Sequence, residues 1–160
     1  MNKVIFMVGH IGSGKTTYTQ DYRGVPILCK DSIRIDFANF IDKEYVYDET
    51  LEEIIHDMTL DALEGMMHLG VKHIIIDETN MTQRVRAPYI HLAQKYEYEC
   101  MAVIFEDRGR VSHVDARMND PRGGHREYWE QVYRGMRGRY QRPTELEGFS
   151  EIYDYPQRTT

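Results

Sequence analysis

An uninterrupted apolar run, Val4 to Val8, leads directly into a glycine-rich turn that ends in Gly14-Lys15-Thr16. A short apolar run bounded by glycine is typical of a strand that is buried on both faces of a parallel sheet. The turn, G-H-I-G-S-G-K-T at residues 9–16, fits the pattern G-x-x-x-x-G-K-[ST] and lies where that pattern has meaning, after a strand and before a helix. These features restrict the chain to folds in which a buried parallel strand feeds a helix through a tight loop.

This pattern is the P-loop, and its residue types explain what it binds. Its glycines let successive backbone N–H groups converge on phosphates, and the following helix adds partial positive charge. Lys15 is expected to reach the β and γ phosphates of ATP, and the Thr16 hydroxyl is expected to ligate Mg²⁺. A chance glycine-rich turn would not combine strand, spacing, lysine and threonine. The predicted ATP-binding residues are Gly9, Gly12, Ser13, Gly14, Lys15, Thr16 and Thr17.

Strand and helix signals alternate along the rest of the chain. Such alternation predicts an α/β fold in which helices flank a parallel sheet in three layers, as in P-loop NTPases. The length of 160 residues fits one domain, covering 1–160. Further strands are predicted at 25–29, 71–76 and 101–105, and further helices at 51–69, 82–96 and 126–140.

Charge is unevenly distributed along the chain. The formal net charge is -6, which argues against a basic coat that would cover nucleic acid. Residues 108–142, however, hold nine arginines and four acidic residues, so this segment carries +5 and the remainder -11. The chain therefore combines a local basic region with an acidic body.

Compartment and partners follow from what the sequence lacks. No apolar run approaches the roughly 20 residues of a membrane span, so no membrane association is expected. Two cysteines, Cys29 and Cys100, favour buried thiols over a disulfide framework. A cytoplasmic location is expected, and no obligate protein partner is evident. The guanine-reading stretch N-K-x-D is also missing from the sequence, which argues against a GTPase.

An acidic pair follows the strand Ile74-Ile75-Ile76. P-loop proteins use an acidic residue at such a strand end near Mg²⁺ and its water ligands. Asp77 is the preferred candidate, and Glu78 remains possible. Only one of the two is expected to face the phosphates, because successive side chains of a strand point to opposite faces. A plain strand-end turn is the alternative interpretation.

Two further groups could carry chemistry. Asp31 and Arg34 follow the second predicted strand and share a face if a helix begins near Asp31. An aspartate can accept a proton from an acceptor hydroxyl, and an arginine can hold an anion. Spacing alone favours a simple N-cap and a surface arginine. A mobile lid is predicted around Arg117 and Arg122, because Pro121 and Gly123-Gly124 interrupt the chain there. Such a lid would bring positive charge to the phosphates. A basic surface loop fits the composition equally well.

Taken in order, five motifs make the chain resemble the kinase domain of polynucleotide 5'-hydroxyl kinases and related AAA-type P-loop kinases. They are GSGKTT, K-D-x-x-R, I-I-I-D-E-T-N, the arginine-bearing lid and R-P-T-E-L-E-G-F. The resemblance implies that Asp31 acts as general base, that Arg34 binds the phosphate next to the acceptor hydroxyl, and that a lid arginine contacts the donor phosphates. It implies Lys15, Asp31, Arg34 and Arg122 as catalytic residues, with Arg117 at the donor.

The reaction implied by this resemblance is transfer of the γ-phosphate of ATP, most simply to the 5'-hydroxyl of a DNA or RNA strand. A nucleoside, a nucleotide or another small molecule is an alternative acceptor. A hydroxylated, modified DNA base is a third, because the same fold and the same general base could serve it.

Overall fold

Within the described residues of this computed structural model, which are 1–40, 49–119 and 124–156, five strands form one sheet. The strands are β1 (Lys3–Val8), β2 (Ile27–Leu28), β3 (His73–Asp77), β4 (Glu99–Phe105) and β5 (Phe149–Tyr155). Their order across the sheet is β2-β3-β1-β4-β5, and every neighbouring pair is parallel. The strand that precedes the P-loop is therefore central.

Helices connect the strands. They are α1 (Lys15–Thr19), α2 (Lys30–Phe40), α3 (Glu49–His68), α4 (Gln83–Lys95), α5 (Arg110–Arg117) and α6 (Arg126–Arg139), with a 3-10 turn at Glu145–Glu147. No helix in the described ranges combines the length and apolarity needed to cross a bilayer.

The core lies on both faces of the sheet. On one face, Phe6 and Ile74 pack with Leu63 of α3 and Tyr89 of α4, all of them fully buried. On the other face, a cluster that includes Met7 has the tyrosines of α1 and the following loop packed against it. Because β1 is apolar at nearly every position, it can be buried from both sides. This arrangement confirms the predicted three-layer α/β fold with a parallel sheet.

The carboxyl ends of the parallel strands all face one edge of the sheet. The P-loop leaves β1 there, α2 begins two residues after β2, and Glu78 follows β3. Open α/β sheets bind ligands at this edge. The predicted lid includes residues 120–123, which lie outside the described residues, as do 41–48 and 157–160.

Candidate active site

The P-loop curls around the side chain of its own lysine. Lys15 is 7% exposed, and its ammonium group donates hydrogen bonds to the carbonyls of Gly9 at 2.9 Å and His10 at 2.6 Å. Burial lowers the pKa of Lys15 to about 7, and the nearby carboxylates of Asp77 and Asp31 oppose that shift. The lysine therefore lies inside the loop that the motif assigns to phosphate.

Glycine is required at position 12 for two reasons. Its φ of +60° is in the left-handed region, and a Cβ atom there would lie 2.6 Å from the carbonyl oxygen of His113. Arg108 donates to the Gly12 carbonyl at 3.0 Å, which adds a second restraint on the loop. The loop is thus shaped by close packing on α5 as well as by its own backbone.

The two acidic residues at the end of β3, Asp77 in the strand and Glu78 directly after it, contact different neighbours. Thr16 Oγ1 donates to Asp77 Oδ2 at 3.0 Å, whereas Glu78 accepts from the Tyr89 hydroxyl at 2.9 Å and lies 3.6 Å from the Lys30 ammonium. Burial raises the pKa of Asp77, against the hydrogen bond from Thr16. A hydroxyl and a carboxylate oxygen together at the phosphate loop are the hard oxygen donors that fit Mg²⁺. Asp77 is therefore the acidic residue on the P-loop side.

Asp31, Arg34 and Glu52 form one cluster at the ends of α2 and α3. Asp31 lies in the first turn of α2 and accepts from Arg34 at 2.6 Å. The same guanidinium is held by both oxygens of Glu52, at 2.5 and 2.6 Å. The sequence analysis did not single out Glu52, because no spacing rule links residues 18 apart on different helices. Within the described part of the chain, the cluster carries two carboxylates and one cation.

The structure places one of the two predicted lid arginines. Arg117 is the last residue of α5, and its guanidinium lies 5.7 Å from the centroid of the Trp129 ring. The positive charge of Arg117 lowers the pKa of Lys15, and only burial and the Asp77 carboxylate have larger effects on that pKa. Arg117 is therefore near the lysine. Arg122 lies outside the described residues.

A polar cluster that the sequence analysis missed lies behind the P-loop. His10 Nε2 is 3.5 Å and His113 Nε2 is 3.2 Å from Asp107, which also accepts from the Tyr133 hydroxyl at 2.9 Å. Burial lowers the pKa of both histidines. The position of Asp107, just past the end of β4, was the one available signal. The cluster joins the loop to α5 and α6.

A cavity of about 910 Å³ opens beside the P-loop, on the β4–β5 side. Gly9 and His10 form its inner wall, and Arg137, Tyr153 and Tyr155 are among its other lining residues. Its volume is in the range of small-molecule and cofactor sites. The cavity lies on the opposite side of the P-loop from Asp31, because β2 and β5 are the two edge strands.

Comparisons with solved structures show the same fold in several proteins. A Chloroflexus aurantiacus protein matches with 15% identity and a TM-score of 0.69, over 99% of this chain and 92% of that one. The Pnkp1/Rnl/Hen1 RNA repair complex matches with 18% identity and a TM-score of 0.62, over 88% of this chain but 46% of that one. Shikimate kinase from Acinetobacter baumannii, in complex with shikimate, matches with 15% identity and a TM-score of 0.59, over 98% and 86%.

A family model described as AAA domain matches residues 4–143, from the first strand to the segment after α6. This range contains the P-loop, the acidic residues after β3 and the Asp31 cluster. The chain therefore belongs to this AAA domain family and has the fold of the P-loop kinases.

Proposed function

We propose that this protein transfers the γ-phosphate of ATP to a hydroxyl group, with Asp31 as general base. The observation that carries the proposal is the position of Asp31. Asp31 lies in the first turn of α2, which follows β2 at the same edge of the sheet as the P-loop, and its charge raises the pKa of both Lys15 and Asp77. The Asp31 side chain is also 37% exposed, so an acceptor can reach it.

The donor nucleotide would occupy the P-loop and the cavity beside it. The Lys15 ammonium group would contact the β and γ phosphates and stabilise their negative charge during transfer, and Thr16 and Asp77 would hold Mg²⁺. The metal, when bound, neutralises charge on the transferring phosphate. The cavity at Gly9 and Arg137 would hold the nucleoside part. Arg117 and Arg122 would add positive charge as the phosphate moves, which is the stage at which such charge acts.

The acceptor that we propose is the 5'-hydroxyl of a nucleic acid strand. A strand brings phosphates, and the segment 108–142 carries +5 on a body of -11. Similarity to a component of an RNA repair complex supports a nucleic acid acceptor. Asp31 would take the hydroxyl proton as the new bond to phosphorus forms.

One observation favours a second candidate, a small molecule with several hydroxyls and no phosphate. Arg34 is held between Asp31 and Glu52, so among the residues that the structure describes this cluster has more carboxylates than cations. Carboxylates accept hydrogen bonds from hydroxyl groups, and an excess of them disfavours a phosphate in direct contact. Similarity to shikimate kinase is consistent with this candidate.

The test is a panel of acceptors supplied with ATP labelled at the γ-phosphate. The panel contains 5'-hydroxyl oligonucleotides of DNA and RNA, nucleosides, 3'-nucleoside monophosphates, hydroxylated bases in DNA, and small polyols and sugar acids. Label at the 5' end of oligonucleotides, transferred faster than to any other member, supports the proposal. Label on polyols alone would select the second candidate, and hydrolysis of ATP without transfer to any member would overturn both.

A further inference from the structure

A second groove, of about 970 Å³, opens on the acceptor side of the sheet. Lys30 and His56 line its inner end, Arg84 and Pro88 of α4 form one wall, and Arg139 and Tyr140 at the end of α6 form the other. Lys30 immediately precedes Asp31 in the chain. The groove therefore includes the residue next to the proposed general base and reaches the carboxyl end of α6.

The charge of this groove is positive although the protein is acidic. Lys30, Arg84 and Arg139 line it, and no carboxylate does among the residues that the structure describes. Arg84 and Arg139 are exposed. The Lys30 ammonium is 3.0 Å from His56 Nδ1 and 3.6 Å from Glu78, so part of its charge is balanced from below. Arg139 Nε donates to the Gly135 carbonyl at 3.0 Å, and no described carboxylate forms an ion pair with Arg84 or Arg139, so both charges remain to attract an anionic ligand.

The cluster of Asp31, Arg34 and Glu52 shows why an acceptor strand would need a second cationic surface. An acceptor strand must place phosphate close to its reacting 5'-hydroxyl, and the Arg34 guanidinium lies 2.6 Å from the Asp31 carboxylate. Glu52 already occupies the two-pronged face of that guanidinium. A phosphate at Arg34 would have to displace this carboxylate or tolerate its charge, whereas Arg84 and Arg139 offer positive charge without either cost.

We propose that this groove binds the phosphodiester groups of the acceptor strand that follow its first nucleotide. The inference rests on the proposed nucleic acid acceptor and names the surface that recognises it. The hydroxyl end of the strand would lie at Asp31, and its backbone would run past Lys30 to Arg84 and Arg139. Tyr140, 37% exposed at the rim, would offer a ring on which a base can stack.

The experiment measures binding of a short single-stranded oligonucleotide with a free 5'-hydroxyl and a fluorophore at its 3' end. Fluorescence anisotropy is recorded without ATP for the wild type and for the double variant R84Q/R139Q. The control is R23Q/R134Q, which removes the same charge from exposed residues outside the groove. We expect Kd to rise about tenfold in R84Q/R139Q only, and the slope of log Kd against log salt to fall by about 1.4, as for two phosphate contacts on a single strand.

Equal Kd values for the wild type and R84Q/R139Q would overturn the proposed binding groove. An equal loss of affinity in R23Q/R134Q would also overturn it, because the effect would then come from overall charge and not from the groove. A binding measurement also separates this inference from the proposed function. If R84Q/R139Q loses affinity but the wild type never phosphorylates the strand, the groove stands and the 5'-hydroxyl kinase proposal fails. If transfer to the strand occurs and binding is insensitive to R84Q/R139Q, the kinase proposal stands and the groove fails.

Discussion

Glu52 changes the chemistry expected of Arg34. The resemblance to polynucleotide kinases implies that Arg34 binds a phosphate, but the guanidinium is shared by Asp31 and Glu52. An arginine held in this way restrains the orientation of the neighbouring carboxylate, because its planar fork is rigid. We therefore assign Arg34 to positioning Asp31, with direct phosphate binding as a lesser part of its role.

Substitution of Glu52 separates these two roles. Glu52→Gln is expected to lower KM for a 5'-hydroxyl oligonucleotide about threefold to fivefold, since removal of one charge at a partly exposed pair is worth about 1 kcal/mol. The value of kcat should change little, because glutamine still accepts from Arg34. Steady-state kinetics checks this, with Glu53→Gln, an exposed neighbour, as control. A rise in KM specific to Glu52→Gln would mean that Glu52 itself holds the acceptor.

At the scale of elements, a buried ion pair joins α4 to the segment after α6. Arg86 is fully buried, and its guanidinium donates to both oxygens of Glu147 at 2.8 and 2.7 Å and to the carbonyls of Asn80 and Gln141. Asn80 follows the acidic pair of β3, and its amide donates to the Met7 carbonyl in β1. Arg86 thus ties the β3 end of the site to the chain that enters β5.

Loss of this pair is expected to destabilise the protein. Arg86→Gln leaves the Glu147 carboxylate buried without its cation, which costs about 3–5 kcal/mol of unfolding free energy. Urea denaturation measures it, and Glu147→Gln should give a loss of similar size. Arg84→Gln, an exposed change on the same helix, is the control and should stay within about 0.5 kcal/mol. A loss below about 1 kcal/mol in both pair variants would show that the ion pair does not hold these elements together.

The histidine cluster behind the P-loop predicts a dependence of stability on pH. Because burial lowers the pKa of His10 and His113 in the folded protein, the unfolded chain binds protons that the native state does not. This contribution to stability is fully present above the ordinary histidine pKa of about 6.5 and is lost as the pH falls from there towards the lowered values.

Urea denaturation at several pH values tests this prediction. The free energy of unfolding should fall between about pH 7.5 and pH 5.5, and His113→Gln should show a smaller fall. His91→Gln, at an exposed position of α4, should keep the fall of the wild type. An unchanged or higher stability at the lower pH would contradict the assigned direction.

The sequence predicted the elements whose patterns are local. The helix predicted at 82–96 corresponds to α4, with Thr82 as its N-cap, and that at 126–140 corresponds to α6. The strand β5 was missed, because Phe149–Tyr155 is an edge strand in which Ser150, Glu151 and Asp154 are exposed, so no continuous apolar run marks it. Strand β2 is shorter than predicted, two residues against five.

The residues of the candidate site also divide into those marked by a local sequence pattern and those that only the fold brings together. The P-loop is contiguous in sequence and could be proposed from its spacing. The roles of Asp31 and Arg34 came from the resemblance of K-D-x-x-R to a kinase motif, because their spacing alone favoured an N-cap and a surface arginine. Glu52, Asp107 and Arg84 could not be proposed from the sequence, because each reaches the site through the packing of helices and strands distant in sequence. The sequence left open whether Asp77 or Glu78 faces the P-loop, because that depends on the direction of each side chain. In the structure Asp77 contacts Thr16 of the P-loop, and Glu78 contacts Tyr89.

At the scale of the whole molecule, the sheet order places three surfaces side by side. The central strand β1 presents the P-loop, the β4–β5 side presents the donor cavity, and the β2–β3 side presents Asp31 and the basic groove. In the proposed reaction, the donor would lie on one side of the P-loop and the acceptor at Asp31 on the other. Arginines of α6 contribute to both flanking surfaces, through Arg137 and Arg139.

In the proposed reaction, Asp31 accepts the proton of the acceptor hydroxyl. Asp31→Asn is expected to lower the rate of γ-phosphate transfer by about 10²-fold or more while leaving the Kd for ATP unchanged, because asparagine keeps the shape of the side chain but cannot take a proton. Asp36→Asn, an exposed change on the same helix, should transfer phosphate at the wild-type rate. Transfer by Asp31→Asn at the wild-type rate, with the same acceptor and with ATP bound, would contradict the account.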